Sequence, residues 1–298
     1  MKALQIEGDF GLENLGFTER ADPEPGSGEV LVRIVAASLN YRDLLMVRGL
    51  YNPRQPLPLI PCSDGVGEVV AVGDGVTRCA VGDRVVTLFS QSWLARDPPA
   101  DGLRTTLGGP LDGTLTQLMV LSEEGVVRAP QHLSDSEAAT LTCAGLTAWS
   151  ALVTQAAIGD GDTVLILGTG GVAVFALQLG RLLGARVIVT SSSDEKLGRA
   201  VELGASDTLN YVDTPEWGKA VRELTGGRGV DLVVEVGGAE TLPQSLQALR
   251  PGGQISLIGN LSGGVLDFNL IPVFMRGVRI QGILVGSREG FESLNRFV

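Results

Sequence analysis

Cysteine, histidine, aromatic residues and positive charge are all scarce in this 298-residue chain, and each scarcity removes a class of function. The three cysteines, Cys62, Cys79 and Cys143, are scattered and form no CxxC pair. That spacing excludes a disulfide framework and leads to an expectation of reduced thiols in a cytoplasmic setting. Three cysteines alone cannot close a four-ligand zinc site within one chain. A single histidine, His132, removes the serine-histidine hydrolase readings unless His132 itself serves. The 23 Lys+Arg are outnumbered by 34 Asp+Glu, for a formal net charge of −11. An acidic chain is a poor general binder of nucleic acid or membrane surfaces, because phosphate contacts need positive patches. No apolar run reaches the ~20 residues of a membrane-spanning helix. The opening MKALQIEGDFGLEN lacks the apolar stretch of a signal peptide.

Glycine, by contrast, is abundant: 41 residues, about twice the usual share. Hydrophobic residues make up 44%, which excludes a disordered chain. The length suits roughly two domains with ample core.

The texture of the sequence changes near residue 125. Before it, Glu29-Val-Leu-Val-Arg-Ile-Val-Ala, Gly65-Val-Gly-Glu-Val-Val-Ala-Val and Asp83-Arg-Val-Val-Thr-Leu-Phe read as strands. Val72-Gly-Asp-Gly-Val and Val81-Gly-Asp-Arg-Val read as turns. Short strands with tight turns predict a small barrel, and Ser90–Gly113 reads as a long surface loop. From Ser134, which with Glu137 forms a capping-box pattern, a helix is expected to about Ala157. Strands then alternate with helices. The expected strands are Thr163-Val-Leu-Ile-Leu, Arg186-Val-Ile-Val-Thr, Thr208-Leu-Asn-Tyr, Val230-Asp-Leu-Val-Val-Glu, Gln254-Ile-Ser-Leu-Ile and Val278–Val285. Buried strands separated by helices predict an α/β unit with a parallel sheet covered on both faces. Ser287–Val298 reads as an amphipathic helix with Phe291, Leu294 and Val298 on one face, in which the chain is expected to be cut short.

Gly168-Thr-Gly-Gly-Val-Ala173 follows a buried strand and opens an apolar helix. Gly168, Gly170 and Gly171 permit a tight turn and close backbone approach, and Val172 begins the helix whose amides face an anion. Such a loop binds the diphosphate of a dinucleotide; read plainly, it is a turn with packing glycines. About 20 residues on, NAD-binding forms carry an acid that accepts the ribose hydroxyls. Here Thr190, Ser191 and Ser192 stand in that region, with Lys196 and Arg199 on the next helix. Hydroxyls plus a lysine suit a 2′-phosphate, so NADP(H) is expected ahead of NAD(H). On the other reading Ser193 or Asp194 caps that helix, Lys196 is a solvated charge, and Asp194 reaches the ribose.

Asn40-Tyr-Arg-Asp43, Gly49-Leu-Tyr51, Pro61-Cys-Ser-Asp-Gly65, Val72-Gly-Asp-Gly-Val76, Gly82-Asp-Arg-Val85, Thr147-Ala, Gly168-Thr-Gly-Gly-Val172 and Gly229-Val-Asp-Leu-Val-Val-Glu-Val-Gly237 occur in this order. The series resembles the medium-chain dehydrogenase/reductase superfamily. Within it, the chain is similar to the zinc-free quinone oxidoreductase and enoyl reductase branch, whose members are often labelled zinc-type alcohol dehydrogenase-like. The resemblance implies an α/β protein with a GroES-like β-barrel catalytic domain over 1–125 and a Rossmann doubly wound parallel sheet over 126–285. Residues 286–298 would start a return segment to the catalytic domain. It also implies a homodimer joined through the sixth Rossmann strand.

Zinc-dependent relatives carry a Cys, a His-Glu pair and a second Cys where this chain has Asn40, Ser63-Asp64 and Cys143, so the resemblance implies no catalytic zinc here. Without that Lewis acid the implied chemistry is hydride transfer from NADPH to quinones or α,β-unsaturated carbonyls. Tyr51 matches a tyrosine near the substrate, where it either donates to the developing enolate or only lines the cleft. Asn40 and Asp43 would orient the cofactor amide or substrate, unless Asp43 is a structural cap. Thr147 would touch the nicotinamide, Tyr211 would flank the 2′-phosphate or simply pack on the sheet, and backbone at Gly237, Gly259 and Val285 would line the nicotinamide pocket. Two other readings stand beside this one: a zinc-type alcohol dehydrogenase with atypical ligands, and a non-catalytic NADPH-binding protein.

Overall fold

The chain opens with two short antiparallel strands, β1 (Lys2–Ile6) and β2 (Leu15–Glu19), which the sequence reading did not anticipate. These and the following features are seen in a computed structural model that describes residues 1–100, 102–265 and 268–298. The alternating run Glu29–Ser38 forms β3, and Asn40 then caps α1 (Tyr41–Val47). Next come β4 (Asp64–Val72), β5 (Arg84–Thr87), β6 (Leu118–Ser122) and β7 (Val126–Arg128). The sheet order is β6-β3-β4-β5-β7, with every neighbouring pair antiparallel. Val30, Val32, Val69, Val85, Met119 and Leu121 fill its core, as the period-2 pattern requires.

The stretch Ser90–Gly113, whose Asp101 lies outside the described residues, is not wholly a surface loop. Thr106 to Gly109 are buried. The glycines are the reason: a Cβ on Gly108 would stand 2.8 Å from Cys62 backbone, and one on Gly113 would stand 2.0 Å from the Cys62 carbonyl. They serve close backbone approach here, where the composition suggested turns.

Ser134 Oγ accepts from the Glu137 amide and Glu137 bonds back to the Ser134 amide, so the capping box forms and opens α2 (Asp135–Ala139). The helical path then widens into π-type turns at Leu141–Gly145 and Ser150–Gln155 on either side of α3 (Leu146–Trp149). One continuous helix was expected; its ends agree, but its interior is under-wound.

The parallel half consists of β8 (Thr163–Leu167), α4 (Gly171–Leu182), β9 (Arg186–Ser191), α5 (Asp194–Glu202), β10 (Asp207–Asn210), α6 (Trp217–Leu224), β11 (Val230–Glu235), α7 (Leu242–Ala248), β12 (Leu249–Leu257), α8 (Ile271–Met275) and β13 (Arg279–Gly282). All pairings in the order β10-β9-β8-β11-β12-β13 are parallel, the Rossmann arrangement. The last strand is shorter than the expected Val278–Val285, since Val285 turns into the left-handed region at φ 50°. Asp231, buried on β11, ties three strands together: it accepts from the Thr163 amide and from Arg228 and Arg250.

The final helix, α9 (Arg288–Phe297), buries Phe291 and Leu294, whereas Val298 is exposed and does not join them. By its contacts the chain divides into one unit of Met1–Leu146 with Gly286–Val298, and a second of Thr147–Val285. The first unit thus runs past the sequence-based boundary at 125, because β7 pairs with β5 and α2 packs on β3 and β4.

Candidate active site

In the parallel unit, the buried strand β8 delivers Gly168 at φ +77°, where only glycine turns without strain. Gly170 caps α4 without a side-chain bond, and a Cβ there would meet nothing within 4 Å. The first intrahelical bond runs from Val174 to Gly170, so the amides of Gly171, Val172 and Ala173 carry no bond among the described residues. A 12-residue helix with three open amides and clear space before them is suited to a diphosphate.

At the end of the neighbouring strand, Thr190 and Ser191 are buried. Ser191 Oγ accepts from the Ser193 amide at 3.2 Å, and Ser193 caps α5 by accepting from the Lys196 amide. Asp194, the acid of the alternative reading, accepts from Asn210 Nδ2 at 2.8 Å through Oδ1. Ser192 and Lys196 are exposed. Lys196 and Arg199 border a cavity of about 210 Å³ with Gly168 and Thr169, although Arg199 is also paired with Glu195 at 2.7 Å. Half-exposed Tyr211 donates its amide to the Ser191 carbonyl, which places it beside the same strand end.

Gly237 and Gly259 follow β11 and β12. A Cβ on Gly237 would collide with Thr241 at 2.3 Å, and one on Gly259 with the Val236 carbonyl at 2.3 Å. Val285 and Thr147 are buried at the two ends of this unit's sequence. One residue escaped the sequence reading: Glu235, fully buried, whose Oε1 accepts from Gly237 and Gly238 amides and Thr241 Oγ1, while Oε2 accepts from Ser245 Oγ. An acid closing an apolar strand just before Gly237-Gly238 was the available signal. It fixes the glycine turn.

The other unit gathers Asn40, Asp43 and Tyr51 around α1. Asp43 Oδ2 accepts from the Asn40 amide at 2.7 Å, so Asp43 is a helix cap at least. Its Oδ1 is buried with no hydrogen bond of good geometry. Burial raises the Asp43 carboxyl above its usual range, against the pull of the Asn40 amide and the Arg42 charge. Beside it, Asp64 is completely buried; its Oδ1 accepts from Ser63 Oγ at 2.7 Å and its Oδ2 from the Cys143 amide at 3.2 Å. Burial pushes Asp64 up to about 7, and the Asp43 charge adds to it, despite bonds from Ser63 and Asn40. Burial also drives the Cys62 thiol up to about 12 and the Cys143 thiol well above its usual range. Cys62 itself sits at φ 77°, a strained bend that turns Ser63 and Asp64 inward.

These donors do not fit catalytic zinc. Zinc takes three sulfur, nitrogen or carboxylate ligands and a water. Asn40 offers an amide, Ser63 a hydroxyl already given to Asp64, and Asp64 has both oxygens engaged; Cys143 alone offers sulfur, and burial disfavours its thiolate.

Tyr51 is 45% exposed, and its hydroxyl makes no hydrogen bond among the described residues. The Arg42 guanidinium covers its ring, 4.9 Å from the centroid. A phenol held by its face with a free hydroxyl can donate to a carbonyl oxygen on which negative charge develops.

Residues 26–131 match the alcohol dehydrogenase GroES-like domain family, and residues 171–298 match the zinc-binding dehydrogenase family. A zinc-type alcohol dehydrogenase-like protein of Schizosaccharomyces pombe is 44% identical over 273 residues, covering 90% of this chain and 79% of its own. A quinone oxidoreductase of Pseudomonas aeruginosa is 36% identical, covering 93% of this chain and 78% of its own. The solved structure of an NAD-dependent alcohol dehydrogenase superposes with a TM-score of 0.89 at 37% identity, covering 100% of this chain and 88% of that one. Among the described residues, no helix is long and apolar enough to cross a membrane.

Proposed function

This chain belongs to the medium-chain dehydrogenase/reductase superfamily, and from that premise we propose that it is an NADPH-dependent, metal-free oxidoreductase that reduces quinones or α,β-unsaturated carbonyls. The observation that carries the reading is a set of positions, Asn40, Ser63-Asp64 and Cys143, that offers zinc one thiol, no imidazole and a carboxylate whose two oxygens already accept hydrogen bonds, together with a phenol, Tyr51, whose hydroxyl makes no hydrogen bond among the described residues. A zinc-dependent alcohol dehydrogenase finds no support at Asn40 and Ser63.

The bound cofactor supplies the hydride. The residues of the chain supply the rest. The amides of Gly171, Val172 and Ala173 hold the diphosphate, and Ser191, Ser192, Lys196 and Tyr211 surround a 2′-phosphate. Gly237, Gly259, Val285 and Thr147 border the nicotinamide. Tyr51 donates a hydrogen bond to the substrate oxygen as it gains charge, and Asn40 and Asp43 orient the reacting groups. Three free cysteines fit a cytoplasmic setting. The chain forms homodimers through β13, whose four residues are all exposed and whose outer edge pairs with no described strand.

Paired titrations with NADPH and NADH, followed by stopped-flow loss of NADPH absorbance with 1,4-benzoquinone and cyclohex-2-enone, test the reading. Tighter NADPH binding and turnover of either acceptor support it. Preference for NADH, or cofactor binding without turnover of any quinone or enone, rejects it.

A further inference from the structure

We propose that Arg42 is a positioning residue for Tyr51, a role that rests on the reading of Tyr51 as the hydrogen-bond donor to substrate. The guanidinium carbon lies over two aromatic rings, 4.9 Å from the Tyr51 centroid and 4.9 Å from the Phe89 centroid. Phe89 is buried to 2% exposure and is a fixed wall. In its own plane the guanidinium is equally constrained. One terminal nitrogen donates to the Leu107 carbonyl at 2.9 Å; the other donates to the Gly109 carbonyl and to Thr106 Oγ1 at 3.4 Å. Leu107 and Thr106 are buried, so these acceptors do not shift with solvent. Arg42 therefore joins helix α1, the wall behind β5 and the buried 106–109 segment, and it holds its cation over the ring of Tyr51.

Tyr51 needs such support. It lies on the Gly49-Leu-Tyr segment past the end of α1, is about half exposed, and is held otherwise by a backbone bond to Leu45 at 3.2 Å. An unsupported phenol at that position would sample several rotamers and would have to be ordered during each turnover. Resting against a held cation lowers that cost, and no described residue engages the hydroxyl. The requirement is for a planar fork whose terminal nitrogens donate to the fixed Leu107 and Gly109 carbonyls while its cation lies over two rings, a combination that lysine's single ammonium does not match.

The role is tested with Arg42→Lys, Tyr51→Phe and the double variant in the full chain, using NADPH with 1,4-benzoquinone and cyclohex-2-enone. Arg42→Lys is expected to lower kcat about tenfold with NADPH affinity unchanged, because the phenol loses its fixed support. In the Tyr51→Phe background the same change is expected to alter kcat by less than about twofold, because the group it positions is gone. A second readout needs no turnover. With 3-fluorotyrosine at the three tyrosines, the fluorine resonance lost in Tyr51→Phe should move toward the free amino acid position in Arg42→Lys. Equal losses in both backgrounds, an unmoved resonance, or full activity of Arg42→Lys overturns the role of Arg42 while leaving Tyr51 as donor. Full activity of Tyr51→Phe overturns the donor reading and this role with it. Should Arg42→Lys fail to fold, Phe89→Leu keeps the cation, removes its wall, and is read by the same two measurements.

Discussion

No group among the described residues claims the Tyr51 hydroxyl. Removing that oxygen should lower kcat for quinones and enones about 100-fold, the usual cost of losing one donor to a developing oxyanion, with NADPH affinity unchanged. Single-turnover kinetics of Tyr51→Phe check this. Two buried aspartates should leave opposite marks on stability. Burial pushes Asp64 up to about 7 in the folded protein from ~3.9 in the unfolded chain, so between those pH values the folded state holds the extra proton. Stability should therefore fall as pH rises from 4 to 7, by roughly 4 kcal/mol at most, and stay level above. Asp64→Asn should flatten most of that slope in urea titrations, with a remainder from Asp43, which shifts in the same direction. For Asp231, burial works to raise the pKa, but bonds from Arg228, Arg250 and the Thr163 amide outweigh it and bring it to about 2. Its contribution is present above the unfolded pKa and is lost as pH falls through about 2. Asp231→Asn should cost on the order of 2 kcal/mol at pH 7 and erase the acid-side slope.

At the scale of elements, the strand-loop-helix unit from β8 to α4 was the most legible part of the chain. A buried apolar run, three glycines and an apolar helix each follow from local chemistry, and all three are where the sequence put them. Gly170 gives a clean test: its φ of −80° suits any residue and no atom lies near its Cβ. Gly170→Val should leave the melting temperature unchanged yet raise the NADPH dissociation constant at least about tenfold, measured by tryptophan fluorescence, because the new methyls occupy the diphosphate's space. What stayed hidden depends on distant partners. Nothing local in Arg42 announces two aromatic faces, one 9 and the other 47 residues away. The burial of Thr106 to Gly109 follows from glycines pressed on Cys62, a contact between segments far apart in sequence. β1, β2, α1 and α8 are short, and tertiary packing rather than periodicity sets them.

For the whole molecule, the fold class was readable because it needs only the order of elements. The strand-turn-helix geometry of the glycine loop was legible, and the surroundings of α1 much less so, because burial decides the properties of Asp43, Asp64 and Cys143. The proposed dimer would use a surface that is open in this chain: β13 is exposed along its length, and Leu270, Ile271, Phe274 and Met275 are exposed in the segment before it. Ile280→Pro removes an edge amide and should shift the mass found by light scattering from dimer to monomer, with the cofactor still bound. The sheet also has a history that its final form conceals. β8 pairs with β9, its neighbour in sequence, but its other side waits for β11, which begins at Val230. During synthesis, a nascent chain released only as far as α6 carries a bare hydrophobic strand edge in the middle of its future sheet. For that interval it is the species most exposed to misassociation and most in need of chaperones.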